Sequence, residues 1–257
     1  MNADPWDALR AHTQARIGLG RAGAGMPTRG HLELVAAHAT ARDAVHTPLD
    51  VPTLADQLRT LGIGDPLTIA SAAPDRETYL LRPDLGRRPA PGVALPRIEA
   101  ELGIAFCDGL SATALQTHGG ELAREILAAL PGWTVAPPVI ATQARVALGD
   151  EIGSRLGVTT MLVLIGERPG LSAADSLGVY LTRHPRPGRT DAERNCVSNI
   201  RPPHGLDYPH AARIVAALAV GARRLGASGV ALKDTSPAGE LDTGVPPAAT
   251  VKPTAAG

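Results

Sequence analysis

Two short polar segments hold the side chains best suited to chemistry. In GERPGL (residues 166–171), Glu167 follows the most apolar run of the chain, TTMLVLI at 159–165. A carboxylate just past the carboxyl end of a buried strand lies where open α/β sheets bind ligands, and it can accept hydrogen bonds from amide N–H groups there. The competing reading is a turn in which Glu167 pairs with a nearby arginine. In RNCVSNI (194–200), Cys196 is a small thiol inside a polar run. A lone cysteine is more often a small buried hydrophobe than a reactive group, and no Cys–His pairing in the sequence marks a nucleophile. Val146 follows a strand-like segment ending near Ala141. Its side chain reads as core, while its loop backbone is placed to face a ligand.

Other spacings argue against chemistry. Gly18, Gly20 and Gly23 fit a GxGxxG pattern, and Asp43 lies about 20 residues further on, where a dinucleotide fingerprint has its acid. That fingerprint needs a buried strand directly before the glycines. Residues 12–17 (HTQARI) are polar and helical in character, so the run reads as a helix-to-helix connection. The chain has two cysteines, Cys107 and Cys196, and no CxxC, which argues against structural zinc. Counting leaves a disulfide between them open; the rest reads as cytosolic, where thiols stay reduced. Twenty-five basic residues balance 25 acidic ones. With no field of one sign and 2% aromatic residues, nucleic acid and anionic membrane are poor partners. The first residues lack the apolar stretch of a signal peptide.

The elements that must position these residues follow from periodicity. Residues 67–71, 103–107, 134–141, 159–165 and 177–182 read as strands, as does the short run Thr78 to Leu81; the apolar run at 159–165 predicts burial on both faces. Residues 113–130 and 150–156 read as helices, and Asp207 caps a long one ending at Gly226. Strands alternating with helices predict an α/β fold with a largely parallel sheet. Before residue 66, helix signals at Asp4–Pro5 and Pro27–Thr28 predict a helical N-terminal appendage, with Leu32, Val35, Ala36, Ala39 and Val45 roughly on one side. After residue 234, a stretch rich in Pro, Ala, Thr and Gly predicts a flexible tail.

Five segments together resemble the ethanolamine ammonia-lyase small-subunit family: RIGLGRAGAG (16–25), LRPDLGRR (81–88), DGLSA (108–112), GERPGL and RNCVSNI. Residues 211–226 and 229–234 are also similar. GERPGL and RNCVSNI at this separation are the most specific part of the match. The resemblance implies a Rossmann-like domain over 66–234, a mostly parallel sheet flanked by helices, preceded by the helical region 1–65 and followed by the tail 235–257. It implies adenosylcobalamin as cofactor, held at an interface with a larger barrel subunit that binds the substrate. Three residues would touch the corrin: Val146, Glu167 and Cys196. It assigns no catalytic residue to this chain and no metal ligand, and the DxHxxG signature of the other cobalamin class is absent. Asp43 and His46, and Asp207 and His210, have the wrong spacing for it.

On this resemblance the chain is expected to serve in the conversion of ethanolamine to acetaldehyde and ammonia, within a hetero-oligomer and off the membrane. Some members carry an N-terminal extension associated with bacterial microcompartments, whereas this sequence opens directly at the matching segment; the expected location is the cytoplasm, with a bacterial microcompartment as the alternative. Two other functions stay open on the sequence: a stand-alone NAD-binding enzyme, which needs a strand before Gly18, and a non-catalytic oligomer scaffold.

Overall fold

Glycines rather than a strand join the first two helices. In the computed structural model, which describes residues 5–233, α1 (Pro5–Arg10) and α2 (Thr28–His46) flank the glycine run. Residues 12–17, expected to be helical, are irregular, and no strand precedes Gly18. Gly18, Gly20 and Gly23 all have positive φ, which suits a winding connection. α2 buries only Gly30 and Ala44 and leaves Leu32 and Val35 exposed. Asp234 and the predicted tail at 235–257 lie outside the described residues.

Side-chain caps start several of the later helices. Asp50 accepts from Thr53 N at 3.1 Å and opens α3 (Val51–Arg59), with a proline in its first turn. β1 (Leu67–Ala70) follows. Asp75 then accepts from Thr78 N at 2.7 Å and opens α4 (Arg76–Leu81). Thr78 to Leu81 is therefore helix, not the strand its apolar character predicts: the cap upstream outweighs the β-forming side chains. β2 (Leu102–Cys107) leads to α5 (Ala112–Ala129), capped by Ser111. β3 (Val139–Thr142) is shorter than predicted, because the prolines before it leave only an isolated bridge from Val135 to Leu102. α6 (Leu148–Leu156) closes at Gly157. β4 (Thr160–Gly166), β5 (Leu177–Arg183), β6 (Arg194–Ile200) and α7 (Tyr208–Leu225), capped by Asp207, complete the described chain.

The six strands form one sheet in the order β1-β3-β2-β4-β5-β6. The first four are parallel; β5 and β6 run antiparallel. The expected mostly parallel α/β sheet is present, with an antiparallel margin. β6 was not anticipated. It is an edge strand covered on one face, so most of its positions are polar and the alternation is weak. α5 and α7, with α3, bury one face around Phe106, Leu162, Leu164 and Val179. α6 covers β2 and β4 on the other face, around Ala105, Met161 and Val163. On that second face α6 reaches the margin at β6 through the buried Asp150–Arg194 pair. Cys107 is buried in β2 and Cys196 exposed on β6, and both are free thiols, which closes the disulfide question. No described helix is long and apolar enough to cross a membrane.

Candidate functional site

The carboxyl ends of β2, β3 and β4 meet around one buried acid. Asp108, directly after β2, accepts from Gln143 N at 2.8 Å and Ala144 N at 2.9 Å. Arg76 reaches it at 3.6 Å and donates to Gly109 O at 2.9 Å. Burial raises the Asp108 carboxyl, and the two amides and Arg76 pull it back. From α4 the buried Tyr79 hydroxyl donates to Ala144 O at 3.1 Å. Arg145 N donates to Gly86 O at 2.8 Å. The loop after β3 is thus gripped from several sides, with Gln143 held at φ 53, a conformation that is uncommon for a residue with a Cβ. This grip sets Val146, half-buried, on the rim of a cleft.

Glu167 stands on the same rim. Its backbone N–H donates to Ser176 O at 2.9 Å. Its Oε2 accepts from Ser176 Oγ and from Asn199 N, the latter at 3.2 Å. Asn199 is also held at positive φ, 58°. The carboxylate lies across β5 at Gly178, where a Cβ would come within 2.9 Å of Oε1. Neither partner is an arginine, so the turn-with-arginine reading does not describe this residue. Oε1 accepts no hydrogen bond among the described residues and is left as a spare acceptor.

Cys196 lies two strands along. The antiparallel register sets it opposite Tyr180, which points to the α6 side of the sheet while Val179 and Leu181 point to the other core. The Tyr180 hydroxyl interacts with the thiol. Burial first, then the neighbouring thiol, pushes Tyr180 up to about 12. Burial and the Glu167 charge raise Cys196, against the Tyr180 hydroxyl, which lowers it. Both groups are therefore neutral near pH 7.

Val146 and Glu167 line one cleft of about 370 Å³, together with Tyr79, Arg145 and Tyr180. Cys196 does not line it; it edges a separate depression of about 400 Å³ at the sheet edge, with Leu206, Ile214 and Leu218 of the α7 side. Tyr180 lines the first cleft and is the residue of β5 opposite Cys196. The face so formed is open and mixes apolar Val146 and Ile165 with the charged Arg145, Glu167 and Arg168. Among the described residues no three His, Cys, Asp or Glu side chains gather as a metal site. Asp108, Arg145 and Tyr180 were not singled out from the sequence. Asp108 had a signal, as the first residue of DGLSA, while Tyr180 depends on pairing with a strand that the sequence hid.

A second polar feature ties the cleft together. Arg194, two residues before Cys196 on β6, makes paired hydrogen bonds to Asp150 of α6 at 2.6 and 2.7 Å, and a further one to Thr182 at 3.0 Å. Only 2% and 3% of these two side chains is exposed. The pair pins the strand bearing Cys196 to the helix that begins just after Val146.

Comparison with known proteins gives this geometry a context. Residues 3–233 match the family model for the ethanolamine ammonia-lyase light chain (EutC). The chain is 57% identical over 242 residues to the ethanolamine ammonia-lyase small subunit of Rhodococcus erythropolis, covering 94% of each. It is 51% identical over 249 residues to that of Azotobacter vinelandii, covering 93% of this chain and 92% of the relative. With the small subunit of Ralstonia nicotianae the identity is 47% over 251 residues, covering 94% and 92%. The match runs through every element described above, and on it the chain belongs to the ethanolamine ammonia-lyase light-chain family, whose members are components of an ammonia-lyase.

Proposed function

We propose that this chain works as the small subunit of an ethanolamine ammonia-lyase that releases acetaldehyde and ammonia, and that its open face supplies one wall of an adenosylcobalamin site. The observation that carries the reading is the placing of Val146 and Glu167 on one cleft, with Cys196 beside it across Tyr180. A corrin is a broad, nearly flat ring edged with carboxamides. It asks for a neutral apolar wall with a few fixed hydrogen-bond partners. Val146 offers apolar surface, Glu167 Oε1 can accept from a carboxamide N–H, and Cys196 and Tyr180 are uncharged at neutral pH. These residues fit the group.

When bound, adenosylcobalamin supplies radical chemistry through its cobalt–carbon bond, and the protein supplies position and exclusion of water. In this reading the described residues hold and orient the ring and contribute no acid, base or nucleophile. The open side of the face is closed by the large subunit, which carries the substrate pocket. The complex works in the cytoplasm.

The test is ammonia release from ethanolamine with adenosylcobalamin present, measured for this chain, for the large subunit and for both together. Activity is expected only from the pair. Turnover by this chain alone would overturn the division of labour.

A further inference from the structure

The LRPDLGRR segment has so far no role, and its two arginines border a second, wider cleft. The segment forms a short 3₁₀ turn, Leu85–Arg87, against the loop that carries Val146. Gly86 makes the contact possible: a Cβ there would lie 2.7 Å from the Arg145 side chain and 3.0 Å from the Tyr79 ring. The turn therefore delivers Arg87 and Arg88 beside Arg145. All three line a cleft of about 670 Å³ that continues from the candidate site, sharing Val146 and Tyr180 with it.

The charges on this wall do not cancel. Of its acids, Asp150 is taken by Arg194, Asp191 lies 3.4 Å from the same guanidinium, and Glu151 lies 3.7 Å from Arg155. Arg189 is paired with Glu193. Arg87, Arg88 and Arg145 have no carboxylate within ion-pair distance among the described residues. Arg145 is held in place by stacking on Tyr79, 4.4 Å from the ring centroid, and by a 3.2 Å hydrogen bond to Tyr79 O, yet its Nε is buried without a partner. Three arginines outside any direct ion pair, one of them fixed and Asp84 acting on Arg88 only from a distance, make a site for an anion with several acceptor oxygens.

We propose that this cleft binds the phosphodiester of the cofactor's nucleotide tail, while the adjoining Val146–Glu167 face meets the ring. The proposal rests on the cobalamin reading above and adds to it a separate anion subsite. The tail is the anionic part of an otherwise amide-edged molecule. A cleft that runs on from the ring's wall and presents unpaired guanidinium groups matches that layout.

The test uses the two-subunit complex and three probes: adenosylcobalamin, adenosylcobinamide phosphate, which keeps a phosphate without the base, and adenosylcobinamide, which has neither. Equilibrium dialysis read by visible absorbance gives the affinities without turnover. In an Arg87→Ala/Arg88→Ala complex, both phosphate-bearing forms should bind about tenfold more weakly, as expected for loss of a charge-assisted contact. Adenosylcobinamide should bind as it does to the parent. Both arginines are exposed, and an unchanged melting curve excludes a folding effect. Equal weakening of all three probes, or of none, would overturn the anion subsite while leaving the ring contact in place. Failure of the parent complex to bind any probe would instead remove the cobalamin reading itself.

Discussion

In the proposed corrin wall Cys196 contributes an uncharged thiol. Its thiol is raised by burial and by the charge of Glu167, so at neutral pH it presents an uncharged sulfur beside the Tyr180 hydroxyl. Because the protonated form is favoured, ionisation requires a higher pH than the ordinary value of 9.0. The rate of iodoacetamide labelling should therefore rise with an inflexion above pH 9.0, and a midpoint below that value would mean that the thiol is activated. Cys107, enclosed in β2 and pushed up by burial, should not compete. At this scale the sequence marks Glu167 and Cys196 because each sits in a distinctive motif. It was silent on Tyr180, whose role exists only because the β5–β6 register puts it opposite Cys196. It also gave Glu167 a wrong competing partner: Ser176 and the Asn199 amide hold that carboxylate.

The elements show where local signals compete. Asp75 converts an apolar run into α4, and that helix then supplies both Arg76 and Tyr79 to the grip on the Val146 loop. The strong strands β2 and β4 were legible because they are apolar throughout and buried on both faces. β6 was not, because an edge strand covered on one face needs few apolar residues, and its arginine looks like a surface charge until Asp150 is placed beneath it. That ion pair gives the element scale its prediction. Asp150→Ala removes the buried carboxylate paired with Arg194 and leaves the guanidinium only the exposed Asp191, at 3.4 Å, as a carboxylate partner, which should cost about 3–5 kcal/mol in urea unfolding. It should also weaken cofactor retention, since Arg194 and Cys196 share one strand and Asp150 lies in the first turn of the helix after Val146. A loss below about 1 kcal/mol, the range of exposed pairs, would show that the pair is solvated and does not pin the strand.

In the whole molecule the parallel and antiparallel parts of the sheet have different uses. The parallel strands converge their carboxyl ends on Asp108 and so build the crevice expected of open α/β sheets. The antiparallel margin widens it sideways into a wall, which α6 braces at β6 through the Asp150–Arg194 pair. A single wall of this kind is half a site, which agrees with a family named as a light chain. The glycine run at 18–23 resembled a nucleotide loop only in spelling; lacking a strand before it, it serves as a connection between helices.

The most direct measurement is the affinity of adenosylcobalamin for the purified two-subunit complex, read from its visible spectrum, with the parent beside Glu167→Ala and Cys196→Phe. If this face is the small subunit's share of the corrin site, both variants still co-purify with the large subunit but bind the cofactor about tenfold or more weakly, as loss of a charge-assisted hydrogen bond or a bulky side chain in the wall requires. Variants that assemble normally and bind it as tightly as the parent would place the ring on some other surface.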